Sequence, residues 1–199
     1  MIYNMDFLIS AMVILLLILW HFLGQKRAED LNNRVFLFFA VLGTADVVAE
    51  FFTNYYITSY NSDMENAAVI VTTIFYLLQA LLPVTFIFYI QTLHEQKIIS
   101  AKKMFISGVP TLVLISVILT NPFTEKLFSF DVTAGYMKGP WYLLMYVSAL
   151  GHFAVALLLI LLWRKKLGPQ KEKILLEIFV ISGVGVVLQM FCQSLLMTG

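Results

Sequence analysis

The sequence predicts an all-α integral membrane protein, a polytopic bundle of six transmembrane helices with its N-terminus outside. Three observations lead there. Of 199 residues, 60% are hydrophobic and only 13% are charged, against about 25% charged in a soluble domain. The mean hydropathy is +0.87. The apolar residues also fall in long runs with short connectors, and a bilayer core of about 30 Å takes about 20 apolar residues of helix. The spans read as about 7–23, 35–57, 67–93, 104–120, 141–163 and 174–197, a single transmembrane domain over 1–199 with one longer outer loop, 121–139.

The first span is expected to be a retained helix. Asp6 is the only charge before it, and Trp20-His21-Phe22 follows it; a signal peptide has a basic start and a small-residue cleavage site. The second span carries Asp46, Glu50 and Asn54, the third Gln79 and Pro83, and the fourth Pro110. Prolines inside membrane helices kink them and are tolerated where neighbours satisfy the freed carbonyl. Gly139-Pro140 suits the start of the fifth span, since proline is preset for a first helical turn. Ser148, Gly151 and Ala156 in the fifth span, and Ser182, Gly183 and Gly185 in the sixth, are small residues that let helices approach closely. The lone cysteine, Cys192, excludes an internal disulfide and reads as a small buried hydrophobe.

Charge gives the orientation. Lys26, Arg27, Arg34, Lys97, Lys102, Lys103, Arg164, Lys165, Lys166, Lys171 and Lys173, 11 of the 13 basic residues, fall on one side. By the positive-inside rule that side is cytoplasmic, leaving Lys126 and Lys138 outside. Trp20 and Trp163 then sit at inner ends, and Tyr55, Tyr56, Tyr60, Trp141 and Tyr142 at outer ends, where amphipathic rings favour the headgroup layer. Both ends of a six-span chain would lie outside, and the sixth span ends at the outer surface. A seventh helix would return the chain to the cytoplasm, so an excised or truncated module is expected.

Ionisable groups in a bilayer are costly and mark function by default. Asp46, Glu50 and Asn54 are spaced to share one helix face, with Asp46 near mid-depth. Gln79 and His152 are placed near mid-depth, and Gln189 and Gln193 in the outer half. The expectation is an outward-opening polar pocket walled by the second, third, fifth and sixth helices, in which His152 pairs with Asp46 and a carboxylate meets a cationic or hydrogen-bonding ligand. The competing expectation is that the same groups bond one another and hold the bundle. Glu177 reads as interfacial, paired with Lys173. A metal is not expected, because the Glu-x-x-His pair of carboxylate-bridged bundle sites is absent. Neither a nucleophile–base pair nor a hydrolase or phosphate-loop motif is present, so no enzyme activity is expected.

The loop 121–139 mixes aromatics with turn residues, and its regular aromatic spacing suggests a folded hairpin or cap. Asn121-Pro122-Phe123, Leu127-Phe128, Gly135-Tyr136 and Gly139-Pro140-Trp141-Tyr142, then a tyrosine-containing helix, resemble the N-terminal seven-helix sensor domain of bacterial histidine kinases and diguanylate cyclases. The Asn33-Arg34-Val35-Phe36-Leu37 opening of the second span, its Asp46, and Phe75-Tyr76-Leu77-Leu78 with Pro83 and Tyr89 are similar to the membrane part of many Firmicutes cyclases carrying a GGDEF domain. The resemblance covers most of the chain, and the seventh helix and the output domain of that pattern are missing here. It implies ligand sensing in the bacterial cytoplasmic membrane, signalling to a dimeric cytoplasmic enzyme and hence a homodimer.

The leading expectation is therefore a receptor module whose partners are the lipid bilayer and a small extracellular ligand of unknown identity. Candidate ligand-binding residues are Asp46, Glu50, Asn54, Gln79, His152, Gln189, Gln193 and Trp141. No cofactor and no nucleic acid is expected. The alternative is a small transporter or the substrate-binding membrane subunit of one, although the two halves show no clear inverted repeat.

Overall fold

The computed structural model describes residues 5–24, 30–95, 101–131 and 134–191. Among them are six α-helices and one β-hairpin: α1 (Met5–Gly24), α2 (Leu31–Thr58), α3 (Glu65–Glu95), α4 (Ala101–Thr124), β1 (Phe128–Asp131), β2 (Gly135–Lys138), α5 (Leu143–Leu167) and α6 (Pro169–Phe191). Four helical stretches are long and apolar enough to cross a membrane: Leu31–Thr58, Glu65–His94, Ser107–Thr124 and Leu143–Leu167. Leu8–Gly24 is a shorter apolar helix.

The helices overrun the apolar spans at ends where polar groups cap them. The Asp30 side chain accepts from the Asn33 N–H at 2.7 Å, which satisfies one of the free donors at a helix start. This begins α2 at Leu31, four residues before the apolar run. Helix α5 closes at Gly168, whose φ of +80° is one that glycine adopts without a Cβ penalty. Pro169 then opens α6 in the position proline favours. Pro83 and Pro110 lie inside α3 and α4.

Helix α3 is the hub. It packs against α2, α4 and α5, while α1 packs on α2 and α6 on α5. One buried cluster, including Phe75, Tyr76, Leu114, Ile118, Leu127 and Phe128, joins the hairpin to α3, α4 and α5. A second, including Phe86, Ile87, Ile90, Ala156 and Ile160, occupies the opposite end. Outward surfaces are apolar as well: Ile14, Leu17, Trp20, Phe38, Ile70, Val113, Leu158 and Leu162 are all exposed. Such a surface is what lipid tails solvate and water does not.

Between α4 and α5 the chain forms an antiparallel hairpin, with Phe128 opposite Lys138 and Asp131 opposite Gly135. Asn121, 1% exposed, builds its base. Asn121 Oδ1 accepts from the backbone N–H of Leu127 at 2.7 Å and of Phe128 at 3.3 Å, and Nδ2 donates to the Phe128 carbonyl at 2.9 Å. Gly139 crosses so close to the 125–126 backbone that a Cβ there would run into the carbonyls of Lys126 and Glu125.

Candidate functional site

Ring contacts set the register of α2 against α3. Phe36 meets Tyr89 with ring centroids 5.7 Å apart and Phe39 meets Phe86 at 5.9 Å, and Leu82 is the side chain nearest to where a Cβ on Gly43 would stand. Continued along the antiparallel pair, this register sets Asp46 level with Gln79, Glu50 level with Phe75 and Thr53 level with Thr72. The α2 stripe of Asp46, Glu50 and Asn54 therefore runs along a packed helix seam and not over a lipid-facing surface.

Burial grades along the stripe. Asn54 is buried at 2% exposure, while Asp46 and Glu50 are half-buried. The Asp46 Oδ1 atom is itself buried and has no hydrogen-bond partner among the described residues. Two carboxyl groups one turn apart, both ionised, repel each other. No lysine or arginine of α2 or α3 relieves them: Arg34, at the far end of α2, is the only such residue on either helix.

Thr53 and Thr72 are both fully buried, and their hydroxyls also have no partner among the described residues. Several other helix threonines return their hydroxyl to the previous turn, as Thr44 does to Ala40, Thr58 to Asn54, Thr73 to Val69 and Thr85 to Leu81. The two seam threonines do not.

The structure does not bring His152 to Asp46. His152 is buried, with Nδ1 2.7 Å from the Ser148 carbonyl oxygen and Nε2 2.9 Å from Thr111 Oγ1. A carbonyl only accepts, so Nδ1 carries the proton, and in the neutral ring Nε2 accepts from the threonine hydroxyl. Both nitrogens are engaged between α4 and α5, which corrects the expected His152–Asp46 pair. Trp141 is also placed elsewhere, 45% exposed, with Lys126 Nζ 4.3 Å from its ring centroid. Gln193 and Cys192 lie outside the described residues, and so does the side chain of Gln189. Of the expected four-helix wall, the described side chains supply the α2–α3 part. Lys173 Nζ and Glu177 Oε1 stand 3.9 Å apart on exposed side chains, a pair worth little to stability.

An aromatic cap closes the same end of the bundle. Tyr76, 2% exposed, shares a 2.6 Å hydroxyl–hydroxyl hydrogen bond with Tyr136 of the hairpin. Tyr142 and Tyr146 pair at 3.3 Å, and Phe128 packs on Tyr76 with ring centroids 5.4 Å apart. Tyr60, from the α2–α3 connection, stacks on Phe130 at 5.2 Å. Desolvation, then the Glu65 and Asp131 carboxylates, push the Tyr60 phenol above its ordinary value. Burial pushes the Lys138 ammonium down, although it lies 4.9 Å from the Tyr142 ring centroid.

Sequence reading missed Thr53, Thr72, Thr111, Asn121 and the Tyr76–Tyr136 pair. Thr72 and Gln79 share the helical spacing of one α3 face, a signal available from the sequence. The tyrosine pair spans 60 residues and leaves no local signal. Among the described residues no group of three His, Cys, Asp or Glu side chains could hold a metal ion. Comparison with family models, with curated proteins and with solved structures finds no match to this chain. The fold and site together define a helical bundle suited to a membrane, with an acidic seam beneath an aromatic cap.

Proposed function

We propose that this chain is the membrane-embedded sensor module of a bacterial signalling protein. Its six helices cross the cytoplasmic membrane with the N-terminus and the hairpin outside. A small extracellular ligand binds in the outer half, at the Asp46–Glu50 stripe. The resulting shift of α2 against α3 passes to a cytoplasmic diguanylate cyclase or kinase domain of the same signalling protein, which works as a homodimer.

The observation that carries the reading is the acidic stripe itself: two carboxyl groups in a packed seam, one with a buried oxygen lacking a partner among the described residues, running from mid-helix towards the end closed by the hairpin. A stripe that only held the bundle together would have its hydrogen bonds made within it. The eleven basic residues on the opposite side support the orientation, and the resemblance of the 121–142 and 75–89 stretches to seven-helix sensor domains supports the output. Signalling requires that the ligand favour one of two packings, since only differential affinity shifts an equilibrium.

A thermal-shift screen of the purified chain in nanodiscs tests the proposal. Wild type is expected to be stabilised by a small polar compound, and Asp46→Asn and Glu50→Gln to lose that response while still folding. A screen in which every stabilising compound acts equally on wild type and on both variants would refute it. A transport subunit is the second reading, favoured by Pro83. That proline leaves the Gln79 carbonyl without its helical donor, level with Asp46, inside an α3 that runs unbroken from Glu65 to Glu95, and freed backbone carbonyls beside a mid-depth site are a transporter feature. Uptake into proteoliposomes distinguishes the two.

A further inference from the structure

The seam also limits the chemistry of what binds there. This inference rests on the ligand-binding reading above and narrows it. From Asp46 outward the α2–α3 seam holds, in order, the Asp46 and Glu50 carboxyl groups and then the level pair of Thr53 and Thr72. The Gln79 carbonyl, deprived of its helical donor by Pro83, stands at the Asp46 level. All of these offer oxygen. The buried Asp46 Oδ1, Thr53 Oγ1 and Thr72 Oγ1 have no partner among the described residues, and both threonines are fully buried. Buried polar groups in folded proteins are nearly always satisfied; Asn32, Tyr60 and Gln91 also carry a buried atom without a partner among the described residues, but the seam is where three fall in one run beside two carboxyl groups.

The charge balance sets the sign of that species. Lys126 and Lys138, beside the hairpin, lie over the rings of Trp141 and Tyr142, and the other basic residues of the described helices sit at the opposite end. Two carboxyl groups with no lysine or arginine near them on either helix suit a partner of positive charge. Divalent hard cations take six to eight oxygens with several carboxylates among them, and no group of three carboxylate, histidine or cysteine side chains exists among the described residues. We infer that the α2–α3 seam binds a compact monovalent cation on the outer side of Glu50, between its carboxylate and the level Thr53 and Thr72 hydroxyls, with the Asp46 carboxylate one turn further in adding negative charge. An alkali metal ion and a protonated primary amine share this chemistry, and the experiment separates them.

The full chain in zwitterionic nanodiscs is titrated with sodium, potassium and methylammonium chloride, with ionic strength held by N-methylglucamine chloride, whose cation is too large for the seam. The readout is the unfolding temperature. A saturable rise with sodium or potassium identifies an alkali site, and a rise with methylammonium alone identifies an amine site. Glu50→Gln should abolish the rise, and Asp46→Asn, which removes only the inner charge, should weaken it. Thr72→Val, which keeps the side-chain shape, should weaken apparent affinity by about three- to tenfold, the worth of one coordinating hydroxyl, and Thr72→Ser should restore it. Thr72→Val removes a hydroxyl that has no partner among the described residues, so the variant should fold and keeps the inference testable if Glu50→Gln does not fold. If no cation gives a saturable effect while a neutral compound still acts through Asp46, the cation inference fails and the sensor reading stands. If neither cations nor neutral compounds act through Asp46, both fail. If Thr72→Val binds the cation as tightly as wild type, the hydroxyl ligation is wrong.

Discussion

Replacing Asn121 by alanine should detach the hairpin from the bundle. The side chain accepts from two backbone N–H groups and donates to one carbonyl, at residues 127 and 128 that are 0% and 1% exposed. Water cannot replace it at those positions while the hairpin stays docked. The 3.3 Å contact is long for an N–H···O bond, so two full bonds are counted. Leaving a buried donor or acceptor unmade costs about 1–3 kcal/mol each, about 2–6 kcal/mol for the two; about 3 kcal/mol, in the lower half of that range, allows for partial relaxation of the site. At 1.4 kcal/mol per factor of ten, the docked hairpin should open about a hundredfold more often. Trypsin reads this directly, because Lys126 and Lys138 flank the strands, and cleavage tracks the open population when reclosing is fast. Cleavage at Arg164 to Lys166, at the far end of α5, provides an internal control in the same nanodisc and should not change. Asn121→Asp keeps an acceptor for the two N–H groups but faces the Phe128 carbonyl with an oxygen, so its rate should also rise. If Asn121→Ala is cleaved at Lys126 and Lys138 within threefold of wild type, the hairpin is not held by this side chain.

The other predictions concern single contacts. Gly139→Ala should destabilise the cap, because its Cβ would press on the carbonyls of Lys126 and Glu125; proteolysis at Lys138 should rise with little change at the other end. Glu125, a non-glycine residue at φ +51°, follows α4 in a position glycine favours, and Glu125→Gly should raise stability by up to about 1 kcal/mol in thermal unfolding. Tyr76→Phe and Tyr136→Phe should be non-additive, with about 0.5–1.5 kcal/mol of coupling in a double-mutant cycle from their shared bond. Thr111→Val removes a partner of His152 and should cost about 1 kcal/mol, in the range of interhelical bonds in membranes; equal stability to wild type would mean that the bond carries no weight.

The fold was legible where it depends on local composition, and the site only where it depends on one helix. Long apolar runs are a solvent statement, and the second, third and fifth predicted spans fall wholly inside α2, α3 and α5 apart from two residues at the start of α5. The helix ends were less legible, because apolar counting stops where polar caps begin, as at Asp30. The 121–139 loop showed its aromatic spacing, and the expected hairpin exists, though it starts later because α4 runs on to Thr124. The stripe of Asp46, Glu50 and Asn54 follows from helical spacing alone.

What spacing cannot say is which neighbour a face meets. Depth counting places His152 and Asp46 in similar layers, yet a layer is a coordinate along the membrane normal and says nothing about rotation around it. The His152 ring faces α4, where Thr111 supplies its second partner. Asp46 faces a seam whose opposite wall offers Gln79 and the fully buried Thr72, neither of which carries a charge. The same ambiguity gave Trp141 a place in the pocket when its ring is covered by Lys126 at the surface. Those rotations follow from the packing of α3 against three helices at once, which is a property of the assembled bundle. Polar residues that found partners through that packing are accounted for by structure, as His152 is. Asp46, Thr53 and Thr72 did not find partners, although they sit in the seam between α2 and α3, where choice of neighbours is greatest. That contrast within one chain is the reason to look for a ligand at the seam and not at the histidine.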